Sequence, residues 1–497
     1  MEQTENSSLK CDVVVVGAGN AALCAALAAR DRGARVIVLE KAPEAEQGGN
    51  CPFTGGGFRF THEGIGDLRS LLDEPSDGDE SGASMAPYAA DDFRDHLLEV
   101  TREDTDRELM GALVSQSRPT VEWMHTKGVK WELPPARSAG PGAPSVIPNS
   151  VGLSAYRSGP GLVGMLTTAA RRAGIDILYE TKMLSLLKDS HGRVRGLMAG
   201  DADGDHRIDA GGVVLACGGF EASPEMRARH LGAGWERARV RGSQHNTGDG
   251  HRAAMEIGAG TAGQWDGCHA TPIDVDAPAT GNLQITDSMP RRSYPLGITV
   301  NRLGRRFFDE GEGFAEQTFI KAGRRILEQE DGVAFQIFDS STAGLLEPRY
   351  GTSTQVEADS IGGLAEQLRI DRRALEDTVG AFNAQAHPHH QGEYNIRKLD
   401  GRSTETLDPP KSNWAIKVDS PPFTAFAVTG GITYTYGGLK INTQAQVVDA
   451  DDKPIPGLFA AGEIVGGIFH HDSLRAAGLM HGAVFGRIAG ANAASQD

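Results

Sequence analysis

The sequence predicts an α/β protein in which a Rossmann-like dinucleotide-binding domain is interrupted by a separate α+β segment. Three observations carry this expectation. Residues 12–16 (DVVVV) and 35–39 (RVIVL) are short, continuous runs rich in β-branched residues, as buried parallel strands require. Between them stand a glycine turn at Gly17-Ala18-Gly19 and an alanine-rich helical stretch over 20–32, and Glu40 closes the second run. From about 265 to 430 the character changes: strands and helices mix, prolines are frequent and no repeat is visible.

A chain of 497 residues exceeds what one hydrophobic core usually organises, so two or three domains are expected. The boundaries read as 9–264 for the first part of the dinucleotide domain, 265–432 for the inserted capping domain and 433–497 for the returning part. The formal net charge of −17 disfavours nucleic acid and anionic membranes as partners. The five cysteines (Cys11, Cys24, Cys51, Cys217 and Cys268) are odd in number and lack CxxC spacing, so reduced thiols are expected rather than a disulfide frame or zinc site. The polar start MEQTENSSLK has no apolar stretch of a signal peptide, and no apolar run is long and uniform enough to span a membrane. The expected location is the cytoplasm.

Along the chain, residues 46–66 are too glycine-rich for regular structure. Residues 73–92 hold seven acidic residues and no Lys or Arg, as a mobile surface loop would. Apolar positions 97, 98, 109, 110, 113 and 114 predict helix over 93–128, and a second helix is expected at 161–173. A strand at 175–180 and an antiparallel meander over 183–216 follow, then strands over 437–465 and a closing helix at 478–494.

Gly17-Ala-Gly19-Asn20-Ala21-Ala22 is a GxGxxA turn at the mouth of the first helix. Gly17 permits the tight turn, Gly19 lets backbone approach a pyrophosphate, and Ala22 allows close helix–strand packing. Glu40, at the end of the second strand, is placed to accept hydrogen bonds from ribose hydroxyls. Three further glycine turns, Gly48-Gly49-Asn50, Gly218-Gly219 and Gly462-Glu463, suit a long extended dinucleotide, with Glu463 on ribityl hydroxyls; these are features of FAD enzymes.

The segments GAGNAALCAALAA, LEKAP, GGN, LACGGF, TGDGH (247–251), VNRLGRRFFDE (300–310) and IPGLFAAGEIVGG (455–467) resemble the fumarate reductase/succinate dehydrogenase flavoprotein superfamily, within it most of all the tricarballylate dehydrogenase branch. The resemblance implies a glutathione-reductase-type FAD domain, with the active site between it and the cap. It implies hydride exchange between substrate carbon and flavin N5, with a proton handled on the neighbouring carbon. It also places Lys41, Met183, Asp249, Ser473, Leu474 and Ala477 at the cofactor. No histidine precedes Gly48, so noncovalent FAD is expected.

His269 falls where these enzymes place a substrate-contacting histidine, the alternative being a packed or exposed cap residue. Arg59 matches a basic residue of the tricarballylate enzymes and is placed either to clamp a carboxylate or to make a surface salt bridge; Tyr294 either faces the pocket or packs in the core. The family's proton-donating arginine is absent: its column holds Phe314, and the next position is Ala315. Tyr434 replaces a second histidine, and Ser473 stands in a usual arginine column, with Arg475 two residues on. Tyr434, Tyr436, His470, His471 and Arg475 are therefore the acid–base candidates, Tyr434 first. With two cationic groups lost, the expected substrate is a carboxylic acid or enone of lower charge, oxidised or reduced at a carbon–carbon bond with a separate electron acceptor or dioxygen. Tricarballylate itself, isomerisation or oxidation of a specialised metabolite, and a flavin-binding protein without catalysis remain alternatives. Arg291-Arg292 reads as a solvated turn, and the His387, His389 and His390 cluster lacks acids at metal spacing, so no metal is expected. A second nucleotide motif and a redox cysteine pair, as disulfide reductases need, are both missing.

Overall fold

The computed structural model describes all residues except 1–8, 73–83, 136, 139–144, 148, 389–394, 397 and 496–497. They fall into two compact units, one of residues 1–226, 243–268 and 434–497, the other of 227–242 and 269–433. Residues 227–242 thus group with the second unit, whereas the sequence reading assigned them to the first.

In the first unit, β1 (Leu9–Val16), α1 (Asn20–Asp31) and β2 (Val36–Leu39) form the expected βαβ. β1 pairs in parallel with β2 in the register Val13 with Val36 to Val16 with Leu39. Helices α2 (Ala90–Val100), α3 (Arg107–Thr126) and α4 (Ser158–Arg172) follow, then β3 (Asp176–Leu178), β4 (Lys182–Lys188), β5 (Val194–Asp201), β6 (Gly204–Leu215) and α5 (Asp249–Glu256). The chain re-enters this unit to supply β7 (Gln446–Val448), β8 (Pro454–Ala460) and α6 (Ala477–Ala493). The sheet order is β7-β8-β6-β1-β2-β3, with β5 and β4 extending antiparallel from β6. The central strands are parallel and buried on both faces, which explains their unbroken apolar runs.

The expected single helix over 93–128 is two helices. Arg102 and Glu103 take positive φ (51° and 69°), and Asp106 caps α3 by accepting from the Glu108 and Leu109 amides. The break is held from outside: the Asp106 amide donates to Gly467 O (2.8 Å) and Thr105 Oγ1 to Ile468 O (2.9 Å). Residues 46–66 are not wholly irregular either. Gly57–Phe58 pair with Leu153 and Ser154, and Ile65–Leu68 form a helical turn. The acidic stretch lies outside the described residues except for 84–92, whose last three residues open α2.

α1 packs directly on α6. Gly482, Gly486 and Gly490 recur every four residues and so share one face of α6. A Cβ at Gly486 or Gly490 would collide with the carbonyl oxygen of Ala21 or Ala25. Near-backbone contact is reached because both surfaces lack side chains, and Asn20 Nδ2 donates across it to Leu479 O (2.7 Å).

The second unit is built on a sheet ordered 239–240, 423–435, 333–339, 298–301, to which strands 268–274 and 355–358 also pair through 423–435. Helices 361–368 and 372–385 bury Leu364, Leu375, Val379 and Phe382 in its core. No helix among the described residues is long and apolar enough to cross a membrane.

Gly486→Val should lower stability by about 1–3 kcal/mol, because an overpacked, backbone-lined contact cannot yield by rotamer change. Denaturant unfolding of the full chain checks this, with exposed Gly66→Ala, whose Cβ meets nothing within 4 Å, as the control expected to leave the midpoint unchanged.

Candidate active site

A cleft enclosing about 1130 Å³ of space, open solvent included, runs across the first unit. Its wall begins at the C-terminal end of β1. Gly17 holds φ +106°, and a Cβ there would strike the Ala216 carbonyl oxygen, so only glycine fits between β1 and β6. Glu40 is buried and ties the turn down: one carboxylate oxygen accepts from Ala18 N (3.0 Å), the other from Ala42 N (2.9 Å). The N-terminus of α1 opens onto the cleft, an arrangement that favours phosphate. There Cys51 Sγ accepts from Asn20 N (3.2 Å), and burial first of all holds its thiol up at about 11, so it stays protonated.

Of the positions expected at the cofactor, Gly17, Gly19, Asn20, Ala21, Glu40, Lys41, Gly48, Gly49, Asn50, Met183, Gly218, Asp249, Gly462 and Glu463 line this cleft. Ala22, Gly219, Ser473, Leu474 and Ala477 do not; Ala22 and Ala477 are wholly buried in packing. Cys51, which follows Asn50 in the glycine turn, and Thr247, which opens the TGDGH segment, also line it, as do Thr54, Thr181, Asn246, Leu479 and Gly482, which were not anticipated. Of the unanticipated ones, Gly482 carried a sequence signal, its spacing from Gly486 and Gly490. Lys41 Nζ reaches Asp249 (2.7 Å) and Thr247 (2.6 Å). Burial alone would raise the Asp249 carboxyl, but the Lys41 hydrogen bond and charge, with Lys182, outweigh it and hold it below the ordinary range.

Tyr434 also lines the cleft. Its phenol is pushed far above its ordinary range by burial, then by the Glu463 and Glu221 carboxyls, so it is a neutral donor and not a phenolate base. Tyr436 is buried and likewise raised, by burial and then Asp472. Asp472 is pushed up to about 6 by burial. Arg59 is buried and is not among the residues lining the cleft: Nε donates to Arg475 O (2.8 Å), Nη1 to Tyr88 Oη (2.6 Å), and its amide to Ala476 O (3.0 Å). It braces a turn in which Ala476 adopts φ +62°, a left-handed conformation unfavourable for alanine. The Arg475 side chain is exposed, and His471 pairs with Asp104 (2.9 Å).

The second unit holds a cationic cluster of its own. Arg241 Nη1 donates to Thr433 Oγ1 (3.0 Å), and the Arg241 side chain is 10% exposed, with Nε buried and unpartnered; Asp287 stands 3.9 Å away and is 92% exposed. Arg292 Nε donates to Thr271 Oγ1 (3.2 Å), with its guanidinium 4.0 Å above the Phe319 ring, which His269 also contacts (5.0 Å between ring centres). Burial, then Arg241 and Arg292, lower His269 to about 3, so its imidazole is neutral; Nδ1 is buried without a partner. Arg291 and Arg292 are therefore no solvated turn: Arg291 is fully buried on Asp274 (2.8 Å). Tyr294 is buried beside Phe308, its hydroxyl 2.6 Å from Thr318 Oγ1. Phe314 packs on Trp414, and Ala315 is the first residue of helix Ala315–Leu327. Among the described residues no group of three His, Cys, Asp or Glu is placed to hold a metal, and His389 and His390 lie outside them.

A Gly17 that tolerates no Cβ, the start of α1 in the cleft lining and a carboxylate at Glu40 together define a dinucleotide-binding fold. Residues 12–476 match the FAD binding domain family, and the chain belongs to it. It is 30% identical over 487 residues to "Probable fumarate reductase Ifc3" of Shewanella frigidimarina, spanning 97% of this chain and 74% of that one. It is 29% identical over 504 residues to urocanate reductase of Eggerthella lenta, spanning 99% and 76%. The open conformation of a flavocytochrome c3 fumarate reductase superposes with a TM-score of 0.72 at 27% identity, covering 98% of this chain and 78% of that one. The cofactor is FAD, and the protein is an oxidoreductase of carbon–carbon bonds.

Asp472 supplies a pH signature. Its folded carboxyl titrates above the unfolded value, so its cost to the fold is nil below about 4 and grows as pH rises to about 6. Asp472→Asn should change stability little at pH 4 and add up to roughly 3 kcal/mol above pH 7; thermal unfolding across that range measures the divergence.

Proposed function

We propose that the protein exchanges a hydride with a carbon–carbon bond adjacent to a carboxylate, and that Arg241 and Arg292 hold that carboxylate. The carrying observation is Arg241, a buried guanidinium with an unpartnered Nε and no carboxylate closer than the exposed Asp287 at 3.9 Å among the described residues. Burial, then Arg292, draws it down to about 10, which measures how poorly its charge is compensated. An arriving carboxylate relieves this repulsion and allows two parallel hydrogen bonds. These two arginines stand in for the cations missing at Phe314, Ala315 and Ser473.

Bound FAD supplies hydride acceptance and donation; it is held noncovalently in this reading. Lys41, Glu40 and the α1 amides orient the dinucleotide. Tyr434, neutral throughout the working range, donates a hydrogen bond or a proton. His269, also neutral, accepts or donates at one nitrogen and does not compete with the arginines for charge. The relatives named as fumarate and urocanate reductases carry carboxylates on their substrates, which agrees with this clamp.

Chemically reduced enzyme mixed anaerobically with fumarate, urocanate or acrylate should be reoxidised by at least one of them, and not by cyclohexenone or the matching methyl ester. Arg241→Gln should raise the apparent Kd for the active carboxylate by about tenfold to a hundredfold, as losing a charged hydrogen bond predicts. Reoxidation by the uncharged enone as fast as by the acids would discard the clamp.

A further inference from the structure

In the first unit, Glu221 and Glu463 approach each other with no need of the second unit. Glu221 is fully buried; it follows Gly218-Gly219 and was not among the residues singled out in the sequence. Its Oε1 accepts from Asn50 Nδ2 (2.6 Å) and Asn246 Nδ2 (2.6 Å). Glu463 accepts from Thr435 N (2.9 Å) and Thr435 Oγ1 (3.3 Å), and its other oxygen stands 3.4 Å from the same Asn50 Nδ2. The Asn50 amide is oriented by Ser243 N, which donates to its Oδ1 (2.9 Å), so its NH2 faces both acids. Both carboxyls also close on the α-carbon of Gly219: a Cβ there would collide with Glu463 Oε1, Glu221 Oε2 and Thr435 Oγ1 together. Glycine at this position is what lets the two carboxyls meet.

Two carboxylates in contact cannot both be ionised in a buried site, because like charges at hydrogen-bond distance repel without solvent to screen them. A carboxyl–carboxylate contact becomes a strong hydrogen bond when one proton is retained. We propose that Glu221 and Glu463 form such a pair, holding one proton at neutral pH, and that Glu221 thereby positions Glu463 as a singly charged unit in the wall of the FAD cleft. Burial raises both acids, in agreement. The titratable groups facing the pair are the Tyr434 phenol and the Cys51 thiol, both raised and neutral, so neither supplies a compensating cation. The Asn50 and Asn246 amides and Thr435 donate to the pair.

The pair matters for cofactor binding. Doubly ionised, it would set two negative charges in a cleft that must also accept a diphosphate; singly protonated, it sets one, locked in position. Glu221→Gln preserves this state, since a neutral amide can donate to ionised Glu463 in place of the acid proton. Glu221→Ala removes the donor and leaves Glu463 unsupported. The inference rests on FAD binding alone, so it stands or falls apart from the carboxylate clamp.

The test is infrared spectroscopy of the full-length chain with FAD at pH 8, where Asp472, titrating near 6, is ionised. The difference spectrum between wild type and Glu221→Gln should show one protonated-carboxyl band that shifts in D2O, and wild type minus Asp472→Asn should lack it. In FAD titrations monitored by flavin fluorescence, Glu221→Gln should bind within about threefold of wild type, and Glu221→Ala about tenfold or more weakly. Absence of the band at pH 8, or equal weakening by Gln and Ala, overturns the proposal. The band test uses only the near-isosteric variant and does not depend on Glu221→Ala folding.

Discussion

The contact between α1 and α6 is a meeting of two backbones, and the cofactor cleft depends on it. Alanines on one helix and glycines every four residues on the other remove the side chains that would hold the axes apart. Ala21 therefore rests against Gly482 and Gly486, and Asn20 bonds to Leu479 at the start of α6. Both helix N-termini are thereby brought to the cleft wall, where Asn20, Gly478, Leu479 and Gly482 all appear. The segment that returns after a long excursion of the chain thus closes a site begun in its first twenty residues. The same requirement for bare backbone recurs at Gly17 against Ala216 and at Gly219 against the two glutamates.

Charge is distributed oppositely in the two units. Around the FAD cleft three buried acids accept from donors without net charge, Glu40 from two backbone amides, Glu221 from two side-chain amides and Glu463 from Thr435, whereas Asp249 pairs with Lys41. The second unit concentrates cationic groups about His269 and leaves that imidazole neutral. A neutral histidine near two guanidiniums cannot itself supply charge to an anion, which is why the proposed carboxylate contact is assigned to Arg241 and Arg292. Low-dielectric surroundings make both arrangements consequential, since an imperfectly matched charge is costly there.

Several local features were legible because they rest on neighbours in sequence. The βαβ unit, the turn at Gly17 and the carboxylate at Glu40 follow from a change in hydrophobic period and from glycine at fixed offsets. The break between α2 and α3 did not, because Thr105 and Asp106 are held by carbonyls at 467 and 468, more than 360 positions away. Arg59 reads in sequence as a clamp, and only the fold shows that its Nε and Nη1 donate to the Arg475 carbonyl and the Tyr88 hydroxyl. Tyr294 is similarly engaged by Thr318. Nothing in the local pattern at Arg241 distinguishes it from a surface arginine; its importance lies in the company of Arg292 and His269.

The sequence alone determined the fold class, the dinucleotide turn, the choice of FAD and the absence of the expected cations at Phe314, Ala315 and Ser473. The fold class and the turn depend on residue type at short spacing, where steric and hydrogen-bonding rules act on adjacent residues, and the choice of FAD and the missing cations on glycine turns and motifs that the chain shares with a family. Only the tertiary structure decided that Arg241 and Arg292 gather about a neutral His269, that Arg59 serves as a brace, and that Glu221 meets Glu463. Each of these pairings joins distant parts of the chain, and burial, which sets the protonation state and the value of every charge involved, exists only once those parts have packed.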